Sequence, residues 1–365
     1  MRIAVYAIAK NEAQFVSRFL RSCAAADMVI VADTGSTDGT PDLLRHGGAV
    51  VYSIAVTPWR FDRARDAALA LVPRDVDVCI SLDVDEVLTD GWREELERVW
   101  TPGTTRLRYQ YEWGPGVVFG YEKIHARHGY HWHHPCHEYP RPDGRVPEVW
   151  AETDALLVRH LPDATKSRGQ YLDLLALSVQ EDPACPRNAF YYARELTFYG
   201  RHADAVEALR RYLALPAATW ADERAYAMRL LGTSYAALGQ DAEAVQWFRR
   251  ATDEAPDLRE PWVDWARFAY ARADWLVCRY TAERAVAITV QRPVYMTDPE
   301  AWGALPHDLA AIACYHLGAF AEATRHGARA LAYAPDDARL QSNLSFYRAR
   351  GASPFREGVA DVVSA

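Results

Sequence analysis

The segment Ser81-Leu82-Asp83-Val84-Asp85-Glu86 offers the plainest chemistry in the chain. An apolar run, Val78 to Leu82, leads straight into three acids. Where a chain leaves the end of a buried strand, Asp83 and Asp85 can face one crevice. Two carboxylates so close repel each other, and a divalent cation relieves that repulsion. Hard oxygen ligands suit magnesium or manganese. An Asp-x-Asp alone is as well explained by a pair of surface acids, and its weight here comes from the strand before it.

A second group is Ala32-Asp33-Thr34-Gly35-Ser36-Thr37-Asp38-Gly39-Thr40. Gly35 and Gly39 permit tight turns and close approach of a ligand. Asp33 can accept hydrogen bonds from a base or ribose, and Ser36, Thr37 or Asp38 can cap a following helix. A well-made loop with a helix cap and no ligand fits the same residues. Lys10-Asn11-Glu12 forms a third polar cluster. Within Trp59 to Asp66, Arg65 is placed either to bind a diphosphate, to orient the acids, or to make a structural ion pair with Asp33 or Asp83.

These clusters need a scaffold, and the hydrophobic pattern supplies one. Short apolar segments at Arg2–Ala9, Met28–Ala32, Ala49–Ser53 and Val76–Leu82 read as buried strands. Helical spacing falls between them at Glu12–Ala25, Thr37–Arg45 and Arg63–Leu71. This order implies a parallel sheet with helices on both faces, whose ligands bind beyond the carboxyl ends of the strands. The three polar clusters fall at those ends. Residues 121–139 hold six of the twelve histidines. His125, His128, His131 and His133 read as part of a polar loop. Trp113, Trp132 and Tyr139 are candidates either for stacking on a ligand or for filling core.

The texture changes near Ser167. Related phrases return around Gly200, Gly239, Ala273 and Gly318, at intervals of 39, 34 and 45 residues. Each has a small residue that breaks one helix and an alanine–aromatic pattern that packs the next. This is similar to a degenerate tetratricopeptide repeat, in which stacked helical hairpins form one solenoid. The expected division is residues 1–165 as an α/β domain, 166–350 as helical repeats, and 351–365 as a tail. The repeats offer a surface for an acceptor or for a second copy of the chain.

Bulk properties narrow the classes further. Half of the residues are apolar and the formal charge is −8, which marks a globular chain and disfavours nucleic acid as the main partner. The six scattered cysteines form no paired metal motif, and no apolar run is long enough to span a bilayer. The start of the chain lacks the features of a secretory signal, so a cytoplasmic location is expected.

The segments "AIAKNEA", "VIVADTGSTDGT", "FDRARDAAL" and "SLDVDE", in this order, resemble family 2 glycosyltransferases of the GT-A fold. They are more narrowly similar to members with tetratricopeptide-like repeats behind the catalytic domain. The resemblance covers roughly residues 1–165. It implies a nucleotide-diphosphate sugar donor, usually a UDP-sugar, and single-step inversion at the sugar carbon. By position, Asn11, Glu12, Asp33, Asp38, Arg65 and Asp83 line the donor site. Asp85 binds Mn2+ or Mg2+ with Asp83, and Glu138 is the base that takes the acceptor's proton. The family's order places a metal-binding histidine after the base, which selects His160, with His137 as the alternative. The acceptor implied is a peptide, protein or saccharide. This chain departs from many relatives in having Asp33-Thr34 where two acids stand, and Ala64-Arg65-Asp66 where Ala-Arg-Asn is common.

Rival readings make separate predictions. Transfer to a modified DNA base keeps the same donor site. A repeat scaffold without catalysis predicts that Asp85→Ala changes nothing. A nucleotidyltransferase would carry a glycine-rich loop after the first strand, and "AIAKNEAQF" has no glycine.

Overall fold

The computed structural model describes residues 1–145, 147–163, 169 and 171–352. The expected domain border at 165/166, and residues 353–365 of the expected tail, lie outside the described residues. The chain divides into two compact units. The first comprises Met1–Gly200 with Ala214–Ala217 and Pro293–Tyr295. The second comprises Arg201–Leu213, Ala218–Arg292 and the chain from Met296.

The first unit opens with β1 (Ile3–Ala9), α1 (Val16–Ser22), β2 (Met28–Asp33), α2 (Thr40–His46), β3 (Val50–Ser53), α3 (Phe61–Leu71) and β4 (Val78–Ser81). The four strands pair in parallel in the order β3-β2-β1-β4, as alternating strand and helix require. Side chains along β1 alternate between two cores. Ile3, Val5, Ala7 and Ala9 pack on one face with Phe15, Val16 and Phe19, and Ala4 and Tyr6 pack on the other with Ala68 and Leu69. Both faces are therefore dry, and β1 reads as an unbroken apolar run.

The chain continues through β5 (Glu86–Leu88), α4 (Trp92–Val99), β6 (Arg106–Gly114), β7 (Val117–Ala126), β8 (Tyr130–His133), β9 (Tyr139–Pro142) and β10 (Trp150–His160). The sheet grows to eight strands in the order β3-β2-β1-β4-β7-β6-β10-β5, and its second half is mixed. Only Pro115 and Gly116 join β6 to β7, too short a link for anything but an antiparallel pair. Gly116 turns there with φ of 78°. Strands β8 and β9 form a separate two-stranded ribbon. The polar loop expected for the histidines is corrected here. His125 lies fully buried in β7 and His131 and His133 lie in β8, while His128 alone sits in the turn between.

Two helices begin later than their patterns suggest. Helix α1 starts at Val16 and not at Glu12, and the amides of Glu12 and Ala13 are instead bonded by Thr40 Oγ1 at 2.8 Å and Asp38 Oδ2 at 3.1 Å. Gly39, left-handed at φ 82°, interrupts helical backbone and sets the start of α2 at Thr40, while Asn11 Oδ1 accepts the Thr37 amide at 2.7 Å.

Helices α5 (Tyr171–Glu181) and α6 (Pro186–Phe198) fall in the first unit, although the sequence pattern joins them to the repeats. The second unit is all-helical: α7 (His202–Leu213), α8 (Ala221–Ala237), α9 (Asp241–Glu254), α10 (Arg259–Ala271), α11 (Trp275–Ala287), α12 (Leu305–His316), α13 (Phe320–Tyr333) and α14 (Ala338–Ala352). Successive helices pack as tetratricopeptide-like hairpins. The repeat markers are the chain reversals themselves: Gly200, Gly239, Ala273 and Gly318 all have φ between 53° and 76°. At three of them the next amide closes back five residues, Gln240 to Tyr235, Asp274 to Ala269 and Ala319 to Cys314. That is the helix C-cap in which a left-handed residue satisfies the orphan carbonyls.

Candidate active site

Beyond the carboxyl ends of β1 and β2, the expected donor residues are engaged in shaping their own loops. Asp33 is almost fully buried. Its carboxylate accepts the amides of Gly35 and Ser36, each at 3.1 Å, and the Ser36 hydroxyl at 2.5 Å. Asn11, left-handed at φ 58°, ties this loop to the end of β1 through Thr37. Asp38 accepts from Thr40 and from Ala13. Burial would raise its pKa, but these bonds outweigh burial and lower it. Glu12 is buried beside them.

At the end of β4 lies a buried ionic chain. Arg65, on the inward face of α3, donates from Nη2 to Asp83 Oδ1 at 2.7 Å, from Nη1 to Ser81 at 3.3 Å, and from Nε to Glu138 Oε1. Its guanidinium lies 4.9 Å from the Trp132 ring centre. Lys123 on β7 reaches Asp83 Oδ2 at 3.3 Å and lies 3.9 Å from Glu86 Oε1. Glu86 accepts the Asp83 amide at 2.8 Å and the Tyr111 hydroxyl at 2.8 Å. Burial pushes the Asp83 pKa up, yet Arg65 and Lys123 hold it far below the usual carboxylate range. Burial, reinforced by the neighbouring Asp83 charge, pushes Glu86 up despite Lys123. Burial would lower Lys123, but Asp83 and Glu86 raise it well above an ordinary lysine.

Asp85 lies one residue outside this chain. Its carboxylate faces His160 Nε2 at 3.5 Å, and its carbonyl accepts the Leu161 amide at 2.9 Å. The pairing of β10 with β5 sets His160 opposite Glu86, which brings it to Asp85, 75 residues away in sequence. His160 Nδ1 lies 3.3 Å from the Trp113 carbonyl. Donation from Nδ1 leaves Nε2 as the basic nitrogen, the tautomer a metal ligand requires. Burial lowers the His160 pKa, but Asp85 more than compensates and raises it. The separation suits two ligands of one cation, since bonds of about 2.1 Å at 90–110° place their atoms roughly 3.0–3.5 Å apart. Among the described residues no three of His, Cys, Asp or Glu form a group able to hold a metal alone. Asp83, with both oxygens on cations, does not complete such a group.

His137 stands elsewhere. Its ring stacks on Tyr191 with centres 4.0 Å apart and planes 11° apart. Glu138 is 8% exposed and reaches the Asp83 end of the site only through Arg65. The structure thus joins Arg65, Asp83 and Glu138 directly, sets Asp85 with His160, and leaves Asn11, Asp33 and Asp38 on the neighbouring loops. Arg65 pairs with Asp83, one of the two partners open to it, and with Glu138 besides. Of the aromatics, Trp132 fills core, Trp113 is half exposed beside His160, and Tyr139 is partly buried.

Sequence reasoning missed Lys123, Tyr111 and the inward role of Glu86. Lysine occurs only three times, against many arginines, so one inside an apolar strand was a usable signal.

Residues 5–114 match the model for Glycosyl transferase family 2. This region is a family 2 glycosyltransferase domain. The match spans β1 to β6 and contains the loops of Asn11 and Asp33, Arg65, and the acids from Asp83 to Glu86. Glu138 and His160 lie beyond it. Solved structures similar to the chain include YrrB, a TPR protein with an unusual peptide-binding site (16% identity, 48% of this chain and 83% of that one, TM-score 0.38). Others are TTC0263, a thermophilic TPR protein of Thermus thermophilus (17%, 50% and 92%, 0.36), and the APC/C hetero-tetramer Cut9-Hcn1 (14%, 50% and 33%, 0.39). The chain thus spans about a third of the Cut9-Hcn1 chain it matches. No helix among the described residues is long and apolar enough to cross a membrane.

Proposed function

We propose that this glycosyltransferase moves a sugar, with inversion, from a nucleotide-diphosphate donor, a UDP-sugar, to a cytosolic peptide, protein or saccharide, and that it needs Mn2+ or Mg2+. The observation that carries the metal-dependent reading is the Asp85–His160 pair. A carboxylate and an imidazole from parts of the chain 75 residues apart meet at 3.5 Å beside the acids that follow β4. Asp85 and His160 would hold such a cation as two of its ligands. When bound there, the ion offsets the charge that develops on the departing nucleotide diphosphate.

The chain's own residues do the rest. Asp33 and Asp38 hold the β2 loop in shape, and with Asn11 and Glu12 they border the nucleotide pocket. Asp83, kept anionic by Arg65 and Lys123, accepts from the ribose. Glu138 takes the proton of the attacking group of the acceptor, with Arg65 fixing the orientation of its carboxylate. One displacement at the sugar carbon breaks the bond to the diphosphate as the acceptor bond forms, which gives inversion.

The test is turnover of radiolabelled nucleotide sugars with manganese. Release or transfer of sugar is expected, with loss of about 10²–10⁴-fold in Glu138→Gln. Release of pyrophosphate from a nucleoside triphosphate, with no sugar transferred, contradicts the proposal.

A further inference from the structure

Glu138 sits at the end of an unusual loop. Among the described residues, four other than glycine have left-handed backbone, and two of them, His134 at φ 81° and His137 at φ 53°, lie within five residues of chain ending at Glu138. Side chains with a Cβ rarely adopt this conformation, and they persist there only when surroundings impose it. Both are gripped by the same helix. From α6, Asn188 meets His134, with Nδ2 3.1 Å from the ring Nδ1, and Asn188 is itself anchored on the Ser178 carbonyl at 3.0 Å. One turn on, Tyr191 stacks flat on the His137 ring. Arg187 donates from Nε to the His137 carbonyl at 3.2 Å, and its guanidinium lies 5.0 Å from the Tyr191 ring centre. Residues 187, 188 and 191 share one helical face. The start of the loop is fixed to α3, where the Phe61 amide donates to the Pro135 carbonyl at 3.0 Å.

We infer that α6 is a clamp that aims the base. Asn188 and Tyr191 are positioning residues, which hold His134 and His137 in left-handed conformations so that Glu138 meets Arg65 in line with the Asp83 end of the site. This rests on the proposed role of Glu138. It gives α6 a task that its place in the sequence, next to the repeats, conceals. Tyr295, between α11 and α12 in sequence but part of the first unit, supports the clamp, with its ring 6.1 Å from that of Tyr191.

The strain argument supplies its own test, because glycine adopts positive φ freely. In the full-length chain, Tyr191→Leu should lower kcat about 10- to 100-fold, the scale of a misplaced catalytic group. KM for the nucleotide sugar should stay within about twofold, since the clamp acts on Glu138 and not on the residues assigned to the donor, and Tyr191→Phe should retain full turnover. His137→Gly should keep most activity, and Tyr191→Leu added to it should cost less than about twofold, the signature of two residues acting as one unit. Undiminished kcat in Tyr191→Leu, or losses that multiply in the double variant, would overturn the clamp. So would an inactive His137→Gly, which would mark His137 as a chemical participant. Should Tyr191→Leu fail to fold by circular dichroism, Asn188→Ala with and without His134→Gly asks the same question at the other contact. Glu138→Gln runs beside every variant. If it stays active, the base assignment has failed; if it is inactive while Tyr191→Leu is not, only the clamp has.

Discussion

At the scale of single residues, Arg65 decides most. It joins two carboxylates from different loops; Arg65 and Glu138 are largely shielded from water, while Asp83 is about a third exposed. Removing one partner of a buried ionic group leaves charges with no compensation, typically costing about 3–5 kcal/mol. Arg65→Leu is therefore expected to lower unfolding free energy by roughly that amount in denaturant titration, well beyond an ordinary surface change. His125 gives a second residue-scale prediction. Trp132 Nε1 donates to the Tyr6 hydroxyl at 2.9 Å, that hydroxyl lies 2.8 Å from His125 Nε2, and His125 Nδ1 lies 2.8 Å from the Ala126 carbonyl. With Nδ1 donating to Ala126, a neutral ring leaves Nε2 to accept from the Tyr6 hydroxyl. Burial pushes the His125 pKa down to about 4. Below the ordinary histidine range near 6.5 the unfolded chain takes up a proton that the folded chain refuses, so stability falls as pH drops from about 6.5 to about 4. His125→Gln should flatten that part of the stability–pH curve by up to about 3 kcal/mol. An unchanged slope would show that the ring titrates freely in the native state.

At the scale of elements, the helical unit tests the reading of the repeats. Two of its left-handed reversals use glycine, Gly239 and Gly318, while Ala273 takes φ 53° with a side chain attached. Left-handed backbone costs a residue with a Cβ about 1–2 kcal/mol. Ala273→Gly should thus raise stability by roughly 1 kcal/mol, less the greater freedom of glycine in the unfolded chain. Inside α8, Gly232 has the opposite requirement. A Cβ there would lie 2.7 Å from the Phe248 ring of α9, so Gly232→Ala should cost about 1–3 kcal/mol. Thermal denaturation of the two variants should move in opposite directions. These elements also mark what the sequence made legible. Strands β1 and β4 were readable because both faces of the sheet are dry there and each is a nearly bare apolar run. The reversals were readable because small residues recur. The bracing of the loops before α1 and α2 was not, because it depends on Thr40, Asp38 and Asn11 bonding to amides 25 to 28 residues away. The β-strand setting of His125, His131 and His133 was hidden by their polarity, and Lys123 by its lack of any local motif. The pairing of His160 with Asp85 needs β10 laid against β5, which no spacing in the chain expresses.

At the scale of the whole molecule, one chain carries a family 2 glycosyltransferase domain and a series of helical hairpins, and the acids ending β4 are the feature on which the proposed activity turns. The most direct test is calorimetric titration of the folded, full-length protein with nucleotide-diphosphate sugars, with and without manganese, beside Asp85→Ala and His160→Ala. The account predicts association with a UDP-sugar that strengthens with manganese, and loss of the manganese-dependent part in both variants. A folded protein that binds no activated sugar in the presence of manganese, or binds one equally well without Asp85, would contradict it.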